Sequence, residues 1–201
     1  MSTKHLLYPG IIIPLAFWLT LFVCGFIFGS YNHLTRMVSE LGASGTSSQI
    51  VFTSGLILCS ILSLFFVLGL YKTCRAFNLS TIPVILILTY SVSIAGAAIF
   101  PLPLRLHEIM GMPSILLIFS PLLSLLLWKG KGLSAMNKKI AILSFLIMIL
   151  GFSVYLPDLL GNYIGLKQRF FHIGWSVWFI YLSYSSLKLL GQDKPSISGK
   201  N

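Results

Sequence analysis

The feature that most constrains this chain is a series of long apolar segments joined by short polar ones. A hydrocarbon core about 30 Å thick is crossed by roughly 20 apolar residues in a helix. Six segments reach this length, at 10–30, 49–71, 81–100, 106–128, 139–156 and 169–190. We therefore predict an all-α membrane protein, a six-transmembrane-helix bundle formed by one domain over residues 1–190. The polar tail at 191–201 is expected to be disordered and cytoplasmic.

Composition supports a lipid environment and excludes several classes of protein. Apolar residues make up 56% of the chain and charged residues only 9%, whereas a soluble domain carries about 25% charged residues. The net charge of +10 does not indicate nucleic acid binding, because the basic residues stand at the ends of apolar segments rather than along one stripe. Cys24, Cys59 and Cys74 have neither a disulfide pattern nor metal-ligand spacing.

The distribution of basic residues predicts the orientation of the bundle. Ten of the fourteen lie on the side of the two termini, and four, Arg36, Arg105, Lys167 and Arg169, lie on the other. Lysine and arginine are enriched in cytoplasmic connections, so both termini are predicted to be cytoplasmic. Three of the four acidic residues and three of the four histidines then fall on the outward side. The outward connections are therefore the first place to look for a functional site.

The first outward cluster is "NHLTRMVSELGASGT", residues 32–46. The spacing of its apolar residues predicts a short interfacial helix after the first span, ending at Gly42. Its apolar face would consist of Leu34, Met37, Val38 and Leu41, and its polar face of His33, Arg36 and Glu40. Two interpretations remain open: the polar face belongs to a functional site, or an Arg36–Glu40 ion pair merely neutralises a partly buried carboxylate.

The second and third clusters carry the other outward histidines. In "FPLPLRLHEIMGMP" (100–113), Arg105 and Glu108 could pair, and Glu108 also suits the first turn of a helix. In "YLPDLLGNYIGLKQRFFHIGWSVWF" (155–179), Asp158 precedes a helix on which Arg169, His172, Trp175 and Ser176 share one face. His172 is expected about one turn inside the membrane, where ionisable residues usually line a cavity. Each histidine could instead be a hydrogen-bonded structural residue.

At these same three stretches the sequence resembles a bacterial and archaeal membrane family, the domain of unknown function 998. The matching segments are "SELGASG", "IFPLPLRLHE" and "GLKQRFF", with matched positions Ser39, Glu40, Pro101, His107, Gly165 and Arg169. The resemblance implies a six-helix integral membrane protein of a prokaryotic plasma membrane. It implies no reaction, and therefore assigns no catalytic residues.

A fainter similarity connects the chain to the alkaline ceramidase and adiponectin-receptor type of membrane hydrolases, which use serine, aspartate and histidines around zinc. Ser39, His107, Asp158 and His172 supply those residue types here. The sequence departs from that group in its last helix, where Ser176 stands four residues after His172 in place of a second histidine.

These residues favour a lipid-directed hydrolase or transferase with an extracytoplasmic site. The candidate catalytic residues are Ser39, Glu40, His107, Asp158 and His172, and the candidate ligands of a lipid phosphate are Arg36, Arg105 and Arg169. Zinc could be held by His107, His172 and Asp158, or by Glu40 in place of Asp158. A metal-free enzyme would use His107 as base and Ser39 as nucleophile.

The alternative is a non-catalytic lipid sensor or scaffold, in which the same charges only hold the connections together. A transporter is least favoured, because no Asp, Glu, Lys or Arg lies at the centre of any predicted span. Membrane lipids are the expected partners. The glycines of "GFIFG", Gly25 and Gly29, could pack helices within one chain or between two copies.

Overall fold

The computed structural model describes residues 2–128, 135–156 and 158–192, and within them the regular structure is helical. The α-helices are α1 (Thr3–Leu7), α2 (Pro9–Phe28), α3 (Gln49–Ala76), α4 (Ile82–Ile99), α5 (Arg105–Gly111), α6 (Phe119–Leu127), α7 (Ala135–Leu150) and α8 (Ile164–Gln192). Three short 3-10 helices lie at Val38–Gly42, Met112–Ile118 and Gly151–Tyr155. The predicted tail from residue 193 and the lysine-rich connection at 129–134 lie outside the described residues.

Five segments are long and apolar enough to cross a membrane: Thr3–Phe28, Gln49–Ala76, Ile82–Ile99, Arg105–Leu127 and Lys138–Tyr155. They correspond to the first five predicted spans. The second reaches Ala76 rather than residue 71, and the fourth changes to a 3-10 helix around Pro113, as its prolines suggested. The chain is thus an all-helical protein with the composition of an integral membrane protein.

The sixth predicted span corresponds to α8, which is long enough to cross but less apolar than the others. It packs against α1, α2, α3 and α7 and buries Trp175, Trp178 and Phe179 completely. Because its surface faces other helices, serine, histidine and indole groups on it can find hydrogen-bond partners within the protein. The least apolar long helix thus packs against four other helices of the bundle.

Hydrogen bonds between connections define the two ends of the bundle. At what we call the upper end, Ser44 N–H donates to the Leu102 carbonyl at 2.7 Å, and Leu166 N–H donates to the Leu34 carbonyl at 2.9 Å. At the lower end, Trp128 Nε1 donates to the Ser80 carbonyl at 2.8 Å, and Ser183 donates to the Leu7 carbonyl at 2.8 Å. The three predicted polar clusters share the upper end, and α1 contacts α8 at the lower end.

The prediction of a continuous interfacial helix after the first span is wrong. Residues 33–36 form a turn and a bend, and only Val38–Gly42 is helical. The hydrogen-bond partners explain why. A helix would join the Leu34 carbonyl to Val38 N–H. Instead Leu34 accepts from Leu166 of α8, and Val38 N–H donates to Gln168 Oε1 at 2.7 Å. Tertiary bonds to α8 replace the intrahelical ones, and Gly42 ends the shorter helix as predicted.

Candidate functional site

A cavity of about 550 Å³ lies between the helices and reaches the connections of the upper end. Its deep part is lined by Phe17, Leu56 and Tyr90, which belong to α2, α3 and α4. Its upper part is lined by polar residues from several elements, including Ser39, His107, Glu108 and Gln168. This volume lies within the range of about 300–1,000 Å³ typical of small-molecule sites. The cavity is apolar in depth and polar at its rim.

His107 lines this rim, and its hydrogen bonds fix its tautomer. The ring nitrogen Nδ1 lies 2.9 Å from both the Ala97 and Phe100 carbonyl oxygens. Because carbonyls only accept, a neutral ring must carry its proton on Nδ1. The ring thereby satisfies two carbonyls at the end of α4, and Nε2 keeps its lone pair. Among the described residues, no side chain or backbone group hydrogen bonds to Nε2.

His172 lines the same cavity with the opposite tautomer. Trp175 Nε1 donates to His172 Nδ1 at 3.0 Å, and indole can only donate. A neutral ring therefore carries its proton on Nε2. In the described part of the chain that Nε2 is buried without a hydrogen-bond partner. Leaving a donor unsatisfied costs about 1–3 kcal/mol, so this nitrogen requires an explanation.

Sequence reasoning missed five residues with polar groups that line the cavity: Tyr90, Ser93, Ser114, Tyr155 and Gln168. Gln168 precedes His172 by one turn on the same face of α8, a signal that was available from the sequence. Ser93 hydrogen bonds to the carbonyls of Met110 and Gly111 and accepts from Ser114 N–H at 3.1 Å. It thus satisfies backbone groups where the fourth span changes helix type.

Arg169 does not face the cavity but holds the first upper connection against α8. Its NH1 donates to the Gly165 carbonyl at 2.9 Å and to the Arg36 carbonyl at 3.3 Å. Its NH2 donates to Tyr31 Oη at 3.1 Å and to His33 Nδ1 at 2.9 Å. Arg169 as a whole is 7% exposed, and none of these four acceptors carries a negative charge. Its role here is to fix a backbone segment.

The protonation of His33 and Tyr31 depends on their burial beside Arg169. Because Arg169 can only donate, His33 Nδ1 is unprotonated and its neutral ring carries the proton on Nε2. Burial, and then the charge of Arg169, lower the pKa of His33. Burial raises the pKa of Tyr31, whose hydroxyl lies 2.8 Å from the Met37 carbonyl and 3.1 Å from the Arg36 carbonyl. Both groups are neutral and structural at physiological pH.

The Arg36–Glu40 ion pair is formed, with Arg36 Nε 3.2 Å from Glu40 Oε2. Glu40 Oε1 also accepts Met37 N–H at 2.8 Å, and the Arg36 guanidinium lies 4.9 Å from the centre of the Phe28 ring. These contacts match the structural interpretation of this segment. From residues 32–42, only Met37, Val38 and Ser39 line the cavity.

The structure brings together only some of the predicted site residues. Ser39, His107 and His172 line one cavity, whereas Glu40, Asp158, Arg36, Arg105 and Arg169 do not. Asp158 and Arg105 are exposed at the surface. Arg36 pairs with Glu40, and Arg169 bonds to neutral acceptors. The binding of a lipid phosphate by the three arginines stays a prediction. No hydrogen bond joins Ser39 to His107 within the described chain.

The predicted zinc site is not assembled either. Within residues 2–128, 135–156 and 158–192, no three His, Cys, Asp or Glu side chains are placed to hold a metal ion. Two further observations agree with this geometry. The Nδ1 atom of His172 is occupied by Trp175, and Asp158 lies outside the cavity. The donor set of His107, His172 and Asp158 therefore does not fit the metal.

The glycines of "GFIFG" behave differently from each other. A Cβ added at Gly25 would lie 2.5 Å from His33 Nε2, so this glycine gives room to His33 within the chain. Gly29 ends α2 with φ +80, and a Cβ added there would meet no atom within 4 Å. Gly25 is thus already packed, and pairing of two copies through this motif stays a prediction.

Helical segments of membrane-spanning length around a partly polar cavity define a polytopic α-helical membrane protein. The chain belongs to the family described as "Protein of unknown function (DUF998)", whose model matches residues 11–185. No curated protein and no solved structure matches the chain. The expected similarity to ceramidase-type hydrolases therefore has no support among these comparisons.

Proposed function

We propose that this protein binds a membrane lipid in the upper cavity, with the acyl chain in the apolar depth and the polar part at the rim. The observation that carries the proposal is the division of the cavity between Phe17, Leu56 and Tyr90 below and Ser39, His107 and Gln168 above. A lipid has the same division along its length.

The proposal includes six spans, with α8 as the sixth and both termini in the cytoplasm of a prokaryotic cell. The positive-inside rule supports this orientation. Of the four basic residues at the upper end, Lys167 and Arg169 are buried, and Arg36 is paired with Glu40. The upper end therefore exposes fewer unpaired basic side chains to lipid headgroups than its four basic residues suggest. The difference in exposed positive charge between the lower and upper ends is correspondingly larger.

A direct experiment is native mass spectrometry of protein purified from membranes in mild detergent. Ala97 lines the cavity and Ala95, on the same helix, does not. We expect wild-type protein and Ala95→Phe to retain bound lipid, and Ala97→Phe to lose it because the phenyl ring fills the cavity. Equal lipid retention by the two variants at equal thermal stability would refute the proposal.

A second candidate function, metal-free lipid hydrolysis, is favoured by one observation. The Nδ1 of His107 is fixed by two carbonyls, which leaves the Nε2 lone pair available as a general base at the rim. It would take a proton from Ser39 or from water as that oxygen attacks an ester carbonyl, and return it to the leaving alcohol. His107→Asn places an amide near the Nδ1 position but supplies no base. Unchanged lipid turnover in cells that carry His107→Asn would exclude this function, while loss of turnover with lipid binding preserved would support it.

A further inference from the structure

Among the described residues that line the cavity, one carries a charged side chain, and that side chain is an acid. Glu108 lines the rim from α5, and no lysine or arginine accompanies it in this part of the lining. Its carboxylate forms no ion pair within the described chain, where the ion pair found joins Arg36 to Glu40. Glu108 is also exposed, so a molecule at the rim can reach it. An unpaired carboxylate at the rim of a cavity attracts a cation and repels an anion.

His107, which precedes Glu108 in the sequence, adds a second acceptor to the rim. Its proton is held on Nδ1 by the Ala97 and Phe100 carbonyls, so Nε2 of the neutral ring can only accept. Across the described ranges this Nε2 has no partner, yet it is not among the side-chain atoms that are buried without one. It therefore has accessible surface, whereas Nε2 of His172 is buried and cannot be reached by a ligand. The α5 side chains that line the rim thus present acceptors and no donor.

Gln168 of α8 presents donors to the same rim. A backbone N–H can only donate, so the side-chain oxygen of Gln168 is the atom that accepts from Val38 N–H at 2.7 Å. The amide nitrogen keeps its N–H groups, and they have no partner in the part of the chain that the structure describes. The rim therefore combines donors on α8 with acceptors on α5. A zwitterionic headgroup has the complementary groups, because its phosphate oxygens accept and its ammonium group donates.

We propose that the cavity selects a lipid whose headgroup carries a primary ammonium group, and that Glu108 and His107 Nε2 accept its N–H bonds. The inference rests on the proposed lipid-binding function and names the headgroup. A primary ammonium has one positive charge and three N–H donors, so it suits both acceptors. A trimethylated ammonium keeps the charge but has no N–H, and a glycerol headgroup has no positive charge. Glu108 and His107 are thus specificity-determining residues, and no covalent bond changes in the lipid.

The test compares three dioleoyl lipids that differ only in the headgroup: phosphatidylethanolamine, phosphatidylcholine and phosphatidylglycerol. Lipid-free protein in detergent is titrated with each lipid, and binding is measured by native mass spectrometry. We expect wild-type protein to bind phosphatidylethanolamine about tenfold more tightly than phosphatidylglycerol, the lower end of the value of a hydrogen bond to a charged group. Phosphatidylcholine should bind with intermediate affinity, because it keeps the positive charge without the N–H donors.

A matched pair of variants tests whether Glu108 is the residue that selects the headgroup. Glu108→Gln keeps the shape of the side chain and removes its charge, so it should lose most of the preference for phosphatidylethanolamine over phosphatidylglycerol. The control Glu40→Gln makes the same change at the same end of the bundle but outside the cavity, and it should keep the preference. A wild-type preference in Glu108→Gln would overturn the inference.

The remaining outcomes separate this inference from the function on which it rests. If wild-type protein binds the three lipids equally, or binds phosphatidylglycerol most tightly, the headgroup inference is overturned and lipid binding stands. Equal affinity for phosphatidylethanolamine and phosphatidylcholine also overturns it, because the N–H donors then contribute nothing. If none of the lipids binds, lipid binding itself fails.

Chemical crosslinking of wild-type protein removes any dependence on the folding of a variant. A water-soluble carbodiimide activates a carboxylate, the lipid amine attacks the activated carbonyl carbon, and an amide bond forms as the urea leaves. We expect peptide mass spectrometry to find phosphatidylethanolamine attached to Glu108. Attachment confined to Glu40 or Asp158, which lie outside the cavity, or no attachment at all, would contradict the proposal.

Discussion

Replacing Gly165 with alanine should separate the first upper connection from α8. A Cβ at this position would lie 2.3 Å from the Arg36 carbonyl oxygen, 2.7 Å from the His33 carbonyl oxygen and 2.9 Å from Arg169 NH1. Two of these three neighbours are backbone atoms, so the clash cannot be relieved by turning a side chain. The connection itself must move, and the Arg169 hydrogen bond to the Arg36 carbonyl must lengthen or break.

The size of the effect follows from these contacts. Overpacking of this kind costs about 1–3 kcal/mol, and losing a hydrogen bond to a charged group costs about 1.5–3 kcal/mol. Alanine in place of glycine returns up to about 1 kcal/mol of helix stability. We therefore expect Gly165→Ala to lower the free energy of unfolding by about 1.5–5 kcal/mol, the sum of the two losses less the gain in helix propensity.

The matched control is Gly191→Ala, which makes the same change on the same helix where the added Cβ would meet no atom within 4 Å. It should be neutral or slightly stabilising. Unfolding can be followed in mixed micelles by the fluorescence of the four tryptophans as denaturing detergent is added. If Gly165→Ala proves as stable as Gly191→Ala, the connection is not held against α8 as described, and the reasoning is refuted.

Three further predictions concern the same connection. Arg169→Lys should lower the free energy of unfolding by about 2–3 kcal/mol in the same titration, because an ammonium cannot reproduce the four bonds of the guanidinium. The control Arg105→Lys, at an exposed position, should change the free energy of unfolding by less than about 0.5 kcal/mol. Glu40→Gln should cost less than about 1 kcal/mol, because the partly exposed ion pair with Arg36 contributes little and the amide oxygen can still accept Met37 N–H; a larger loss would contradict this account. The pKa of His33 is lowered from 6.5 in the folded chain, so the unfolded chain binds more protons just below that pH, and thermal stability should be complete above pH 6.5 and decline as the pH falls. His33→Gln should flatten that decline, and an unchanged profile would show that another group causes it.

Much of the fold could be predicted because lipid imposes simple rules. Apolar length located the first five spans, and Pro113 located the break in the fourth. α8 was found from the same pattern, but its start was placed at Arg169 rather than Ile164. The first turn of α8 contains Lys167, which tertiary contacts bury. Hydropathy cannot distinguish such a buried polar residue from one in an exposed connection. The helix predicted at 32–42 failed for the same reason, since Leu166 and Gln168 take its hydrogen bonds.

The candidate site was only partly accessible to sequence reasoning. Successive spans cross the membrane in opposite directions, so the clusters around His33, His107 and His172 lie at the same end. Their proximity could therefore be expected. Which side chains enter the cavity depends on rotation about each helix, and on acceptors such as the Ala97 carbonyl that carry no signature in the sequence. The arginines illustrate this limit, because Arg169 is held by backbone carbonyls and neutral side chains that a search for charge partners does not consider.

Photo-crosslinking with a lipid that carries a diazirine near the end of one acyl chain tests lipid binding in the cavity most directly. After irradiation in native membranes and peptide mass spectrometry, we predict labels on Phe17, Leu56 and Tyr90, which line the deep cavity and are at most 7% exposed. These labels should be competed by unlabelled lipid and absent in Ala97→Phe. Labels confined to outward-facing residues such as Phe22 and Phe26, which are 71% and 84% exposed, would contradict a lipid site inside the bundle.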